Sequence, residues 1–478
     1  MGSLWRGNAC HHRSTNAWSE NTICGDVAQW LQNTIDAGVS LLVGHRGLTV
    51  ASARATAAKV IRRVLEGESL HRLLPGALDG TQPPSRALCQ ELIYGSLREW
   101  PLLAPLSRQF LKKPLRSKDA DIQALICIGL YEQSHLKTPA HAALSETVNA
   151  AKDLKKHWAT GLVNGVLRNH QRQGISLEAL SPAQRAALPD WLYSQLVTEY
   201  GDRIEGIAAA SRSRPPMVLR VNTLKISRSD YLTALTAVGI DAKICQRLST
   251  GIILSRGVDV FTLPGFSEGW ASVQDRSAQL AAGLINPQSG ERILDACSAP
   301  GGKACHLLEY QPNIGELVAC DISETRLMRV AENSARLDLP MKMVMADAKD
   351  LPPAIISPPF DAILADVPCS ATGVMRRNPD VKLHRREADL EGFAEQQLAI
   401  LQGLWPALKP GGRLLYVTCS ILRAENDDVI RAFCEEPGVE ITPLPLTEGV
   451  RCEYGWQTLP QVDDGDGLYF SLLKKRHA

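Results

Sequence analysis

The chain lacks any apolar run approaching the roughly 18–20 residues that a membrane helix needs, because charges break every Leu/Val-rich stretch; a membrane-spanning helix is excluded. It has no CxxC pair, and 478 residues are far too many for a disulfide-stapled miniprotein. Cys10-His11-His12 is followed by no second ligand pair at zinc-site spacing, so no metal is expected. Neither GxxxxGK[ST] nor GxGxxG occurs where a phosphate loop or dinucleotide turn would need it. Residues 1–48 have little pattern. They lack the charged segment, apolar core and small-residue cleavage site of a secretory signal, and are expected to be a poorly ordered extension or the product of a start codon placed too early.

Twelve cysteines are present, several within apolar strand-like runs (Cys127, Cys297, Cys320), where a reduced thiol behaves as a small hydrophobe. That usage points to a reducing, cytoplasmic compartment. Hydrophobic residues make up 45% and charged residues 22%, enough to bury real cores in about three domains. The net charge of +1 hides an asymmetry. Between Ala51 and Pro215 there are 22 Lys/Arg and 15 Asp/Glu, a net of +7, which leaves 30 basic and 36 acidic residues, a net of −6, elsewhere. A basic N-terminal part on an acidic C-terminal part suits a protein that grips a polyanion with one end.

From Ala51 the apolar spacing is helical. Helices are expected over residues 51–67, Ser85–Trp100, Asp119–Leu136, Ala140–Leu154 and Trp158–Arg172, with short connections and no strand signal. Ser181–Asp190, with two prolines, is expected to be a linker. The next segment mixes types: Met217–Ile226 as a strand, Ser227–Gly239 as a serine-capped helix, then short strands. From Gln288 the alternation of strand and helix implies a doubly wound, parallel sheet. The domain plan is an extension (1–48), an all-helical bundle (49–185), a small α+β module (186–275) and a Rossmann-like α/β domain (276–478).

Glu291–Tyr310 is an apolar strand, a small-residue loop with Gly301 and Gly302, and a helix. In such sheets the ligand lies outside the carboxyl ends of the strands, and paired glycines let a backbone approach it closely. The second strand ends in Asp321, suited to a ribose diol; the third leads to Asp347, placed for an adenine edge; the fourth ends in Asp366. Together these tips form a cofactor cradle. Cys369 lies just past the fourth strand and Cys419 at the end of the fifth, and neighbouring strands about 4.8 Å apart would turn both thiols into one cleft. A thiol of ordinary acidity is only slightly ionised at neutral pH, so a nucleophile there needs polarising neighbours such as Lys303. Ser357-Pro-Pro-Phe-Asp361 imitates a segment of amino-group methyltransferases but precedes its strand instead of following it.

DACSAPGGK, DVPCSATGVMRRNPD and YVTCS, with LRVN (Leu219–Asn222) and Leu263–Leu280 upstream, resemble the signature segments of S-adenosylmethionine-dependent RNA cytosine-5 methyltransferases. The helical part resembles a NusB-like RNA-binding domain. The combination is similar to the bacterial 16S ribosomal RNA methyltransferases of the RsmB (Fmu) type, over about residues 50–478. The resemblance implies S-adenosylmethionine as cofactor, its methionine end wrapped by Ser298, Ala299, Pro300, Gly301, Gly302, Lys303 and Ala304, its ribose on Asp321, its adenine amino group on Asp347, and Asp366 alongside. It implies Cys419 as the thiolate that adds to carbon 6 of cytosine, Cys369 as the thiol that assists release, and Asp366 as a hydrogen-bond partner of the base. It also implies that Arg376 and Arg377 meet RNA phosphate, and that the substrate is naked or partly assembled 16S RNA, modified by a monomer with no metal and no membrane contact. Asn378 stands where the family usually has His, and Val367 where it usually has Ala. The rival reading from another class is an RNA-binding protein with an inactive methyltransferase body, and transfer RNA or protein substrates are open by fold alone.

Overall fold

The computed structural model describes residues 52–79, 83–174 and 176–477; the Cys10-His11-His12 run and the extension of residues 1–48 lie outside them. The first region is helical: α1 (Ala53–Leu65), α2 (Leu70–Leu78), α3 (Pro83–Arg98), α4 (Trp100–Gln109), α5 (Ala120–His135), α6 (Ala140–Asp153) and α7 (Thr160–Gln173). Ser52 caps α1 by accepting the Ala55 N–H. Five of these were expected. The spacing analysis passed over α2 and α4, which contain Pro75 and Pro105. Both helices persist because they bury apolar residues, Leu70, Leu73 and Leu78 in one, Leu102, Leu103 and Leu106 in the other, and this packing outweighs the local cost of an interior proline. α5 runs through the bundle core, where Glu132 accepts both hydrogen bonds of a buried Arg54 fork at 2.7 and 2.8 Å.

The expected linker is ordered. Ser181 and Gln184 form a reciprocal capping box on a helical turn at Pro182–Arg185, and Ala187 and Leu188 are buried behind it. α8 (Asp190–Tyr200) and α9 (Ile204–Arg212) follow and share an apolar cluster with Met375, Val381, Leu390 and Ile421 of the C-terminal region. A four-stranded antiparallel sheet, ordered β2-β3-β1-β4, is built from β1 (Met217–Val221), β2 (Ala242–Ile244), β3 (Gly251–Leu254) and β4 (Ala271–Val273). α10 (Arg228–Ala237), capped by Ser227 as expected, connects β1 to β2.

α11 (Arg276–Ile285) leads into a nine-stranded sheet. Its parallel part comprises β5 (Arg292–Asp295), β6 (Glu316–Asp321), β7 (Lys342–Met345), β8 (Phe360–Asp366) and β9 (Leu408–Thr418), with α12 (Gly302–Tyr310), α13 (Glu324–Leu337) and α14 (Asp389–Leu404) as crossovers. The spatial order β7-β6-β5-β8-β9 reverses direction at β5, and a ligand cleft belongs outside the strand ends there. The parallel pattern does not continue to the end of the chain. After α15 (Asp427–Phe433) and the short strands β10 (Val439–Thr442), β11 (Val450–Arg451) and β12 (Trp456–Gln457), the last strand β13 (Tyr469–Lys475) pairs antiparallel with β9 over six residues. The sheet is therefore mixed: β13 runs antiparallel to β9, which it reaches through α15 and three short strands. Among the described residues no helix is long and apolar enough to cross a membrane.

Candidate active site

The strand tips converge as the sheet topology requires. After β5 the chain makes a tight turn in which the Gly301 N–H donates to Ser298 O at 2.6 Å and the Ser298 N–H donates to Cys320 O at 2.8 Å. Gly301 has φ +92° and caps α12; a Cβ there would lie 3.1 Å from the Val330 backbone, so both conformation and space call for glycine. At the tip of β6 the Asp321 carboxylate accepts the Ala299 N–H at 3.3 Å and the Ser323 N–H at 3.0 Å, while Ser323 itself caps α13. Asp347 follows β7 and accepts the Lys349 N–H at 2.9 Å. Cys297, Ala299, Asp321, Asp347 and Asp366 line one cleft.

Of the glycine-loop residues, Ala299 borders this cleft, whereas Ser298, Pro300, Gly301 and Gly302 shape the turn beside it. The Ala304 side chain is fully buried among Ile293, Leu307 and their neighbours and points into the core. Lys303 donates to Asp366 at 2.5 Å. Burial opposes its charge, but the Asp366 carboxylate and the Cys419 sulfur more than compensate, and its pKa is raised.

Cys369 and Cys419 meet on the far side of Asp366. Their strands β8 and β9 are adjacent and parallel, with Asp366 opposite Val417, and the two Sγ atoms are 3.2 Å apart in the same cleft. The Cys369 thiol is pushed well above its ordinary pKa, first by its hydrogen bond with Cys419, then by burial, then by the charges of Cys419 and Glu425.

Three residues important to this site escaped sequence reasoning. Asp295, at the tip of β5, is fully buried, and beyond the neighbouring Ser298 hydroxyl its carboxylate meets no donor among the described residues. Burial first, and the nearby Asp366 charge second, raise its pKa to about 7. An orphaned acid of this kind beneath the cleft fits a ligand that brings positive charge and hydrogen-bond donors. Its signal was its place at the end of the first strand, two residues short of the level of Asp321 and Asp366 on the neighbouring strands. Arg220, in the LRVN segment, is fully buried and donates to both Glu309 oxygens, at 2.7 and 2.8 Å, and to Gly302 O at 2.7 Å, which ties the small module to the glycine turn. Glu425 is buried beside the two cysteine loops.

The phosphate role for the arginine pair is overturned. Arg376 is 1% exposed and donates to Asp466 at 2.5 Å and to the Gln461 and Asp464 carbonyls. Arg377 pairs with Asp466 and, at 2.9 Å, with Asp275. Both guanidiniums are committed to buried carboxylates, a use that adjacent arginines in a loop sequence do not reveal. Asn378, next in the chain, is exposed.

Three family models match the chain: "16S rRNA methyltransferase RsmB/F" over residues 282–474, the ferredoxin-like domain of RsmF/B-like methyltransferases over 188–261, and the NusB family over 51–172. Among curated proteins, ribosomal RNA small subunit methyltransferase B of Pseudomonas putida is 45% identical over 427 residues, covering 88% of this chain and 98% of that protein. Among solved structures, PH0851 matches with a TM-score of 0.74 over 90% of this chain and 100% of its own at 22% identity, a likeness of fold. A methyltransferase homologue from Pyrococcus horikoshii matches with a TM-score of 0.54 and 28% identity over 62% of this chain and 100% of its own.

Proposed function

The chain belongs to the 16S rRNA methyltransferase RsmB/F family, and from that premise we propose that it methylates carbon 5 of a cytosine in 16S ribosomal RNA through a covalent adduct between Cys419 and carbon 6. The observation that carries this reading is the pair of sulfurs 3.2 Å apart, facing one cleft beside Asp366. Carbon 5 of cytosine is a poor nucleophile. Addition of the Cys419 thiolate to carbon 6 moves electron density onto carbon 5 and toward N3, where a hydrogen bond from Lys303, held by Asp366, offsets the developing charge.

S-adenosylmethionine, when bound, supplies the electrophilic methyl group. Ala299 and the turn from Ser298 to Lys303 would hold its methionine end above Asp295, with Asp321 toward the ribose and Asp347 toward the adenine. After transfer the carbon-5 proton leaves to a base, the S–C6 bond breaks and Cys419 departs as a thiolate. Cys369, held as the thiol, is placed to protonate the departing sulfur.

Reaching carbon 5 requires the base to leave its stack, at a cost of a few kcal/mol, which favours an unpaired site in naked or partly assembled RNA. We assign the grip on RNA to the bundle (49–185) and the α+β module (186–275), acting on phosphates. The bundle's net positive charge supports this, as do the exposed Lys112, Lys113, Arg116 and Lys118 between α4 and α5. A cytoplasmic location follows from that substrate.

The test is methylation of naked small-subunit RNA with labelled cofactor. Cys419→Ala is expected to abolish transfer, and Cys369→Ala to accumulate a protein–RNA species that survives denaturant. Equal methylation by Cys419→Ala and the parent would refute the assignment; absence of the adduct from Cys369→Ala would remove the division of labour between the thiols.

A further inference from the structure

Each thiol is followed in the chain by a serine, Ser370 after Cys369 and Ser420 after Cys419, and both serines converge on one carboxylate. Glu425 has no exposed surface. Its Oε1 accepts the Ser370 N–H at 2.7 Å and the Gln397 amide at 3.2 Å; its Oε2 accepts the Ser370 hydroxyl at 2.5 Å and the Ser420 hydroxyl at 2.6 Å. Thr372 joins the same knot, 3.1 Å from Ser420 Oγ and accepting the Ile421 N–H at 3.1 Å, while the Gly373 N–H donates to Cys419 O at 2.9 Å.

None of these contacts involves a cation. A buried carboxylate is ordinarily held by Lys or Arg; this one is held by four donors, three of which belong to residues adjacent to the thiols. Pairing of β8 with β9 does not by itself set the sulfur separation, since its last pair is Asp366 with Val417 and both cysteines lie beyond it, Cys369 three residues on and Cys419 just after Thr418, which pairs with Tyr469 of β13. Beyond that pair the two loops are joined by the Glu425 knot, with the direct Gly373–Cys419 and Thr372–Ile421 bonds beside it.

We propose that Glu425 is a positioning residue of the methyl transfer, clamping Ser370 and Ser420 on one carboxylate so that the Cys369 and Cys419 sulfurs stay within proton-transfer distance. The clamp deepens the two-thiol reading and rests on it. It acts on release: Cys419 can add to a base without Cys369, but protonation of the departing Cys419 sulfur needs the second thiol at contact distance. Misplacement by about 1 Å costs about a hundredfold in such a step.

The experiment uses the full chain carrying Glu425→Ala or the isosteric Glu425→Gln, with two readouts. In the first, the protein without RNA is treated with diamide, which oxidises two thiols to a disulfide and is itself reduced to the hydrazine. The rate at which the Cys369–Cys419 cross-linked peptide appears is followed by mass spectrometry. In the second, turnover and denaturant-stable RNA adduct are measured together. The clamp predicts slower cross-linking and accumulated adduct in Glu425→Ala, by about tenfold or more, with KM for RNA little changed. Partial recovery is expected in Glu425→Gln, whose amide keeps an acceptor for the Ser370 N–H. Parental cross-linking and parental release in a folded Glu425→Ala or Glu425→Gln would overturn the proposal, as would a fall in melting temperature with both rates unchanged. Should Cys419→Ala remain active, the two-thiol reading itself fails, and the clamp's role in release fails with it; parental cross-linking alongside normal two-thiol catalysis would sink the clamp alone.

Discussion

The two sides of the cleft satisfy their polar groups in opposite ways. On the glycine-turn side the buried Asp295 carboxylate and Ser298 hydroxyl have no polar partner beyond each other among the described residues. On the sulfur side Glu425, Ser370, Thr372, Ser420, Thr418 and Asn426 are bonded to one another through a continuous network. A buried polar group left unmatched costs free energy until something arrives to match it, whereas a matched network rigidifies what it holds. The difference separates a surface built to receive a ligand from one built to keep two atoms in place.

The sharpest test of that contrast is at the border between the sides. Asp366→Asn is expected to lower kcat by about a hundredfold, the scale of a lost charge-stabilising contact, because Lys303 loses its anionic partner while the thiols stay in position. Cofactor affinity, measured by calorimetry, should change far less. An equal loss in both would place Asp366 on the receiving side and blur the distinction.

Asp295→Asn tests the receiving side. With a pKa of about 7 in the folded chain, well above that of an exposed Asp, this carboxyl stabilises the fold as a neutral acid at low pH; that contribution is lost as pH rises through about 7. The asparagine variant should therefore melt higher than the parent at pH 8, by up to a few kcal/mol in stability, and hardly differ at pH 4. Binding of the cationic cofactor should favour the ionised acid, so affinity in the parent rises with pH up to about 7 and then levels off. The variant should bind about tenfold more weakly at pH 8 and lose that pH dependence. A variant that binds cofactor as well as the parent at pH 8 would show that the orphaned acid does not serve the ligand.

The smallest effect is expected at Asp347. Its Oδ1 already accepts the Lys349 N–H and Lys349 Nζ lies 3.6 Å from Oδ2, so one neutral contact to an adenine edge is what remains to lose. Asp347→Ala should weaken cofactor binding about fivefold, near 1 kcal/mol, without affecting kcat. A loss of two orders of magnitude would mean that the outer rim, and not the buried acid, dominates recognition.

The elements of the bundle with unbroken three- and four-residue spacing were legible in the sequence, as were the capped helix after Ser227 and the strand tips bearing Asp321, Asp366 and Cys419. α2 and α4 were not, because local propensity argues against a helix containing proline and only burial of their leucines overrides it. β13 was missed because α15 follows β9 just as helices follow the parallel strands, and the local pattern does not show that the last strand runs antiparallel. Arg376 and Arg377 were misassigned: a pair of arginines in a loop looks the same in sequence whether it faces a phosphate or a buried Asp466 some ninety residues away.

The sequence by itself determined which chemistry is possible, since the thiols, the acidic tips and the glycine turn are properties of residue type and of order along consecutive strands. Tertiary structure alone decided which of those groups are satisfied and which are left open. Burial and partnership depend on contacts between segments far apart in the chain, so only the folded molecule shows Asp295 buried with no donor beyond Ser298 among the described residues, and Glu425 between two cysteine loops that lie fifty residues apart.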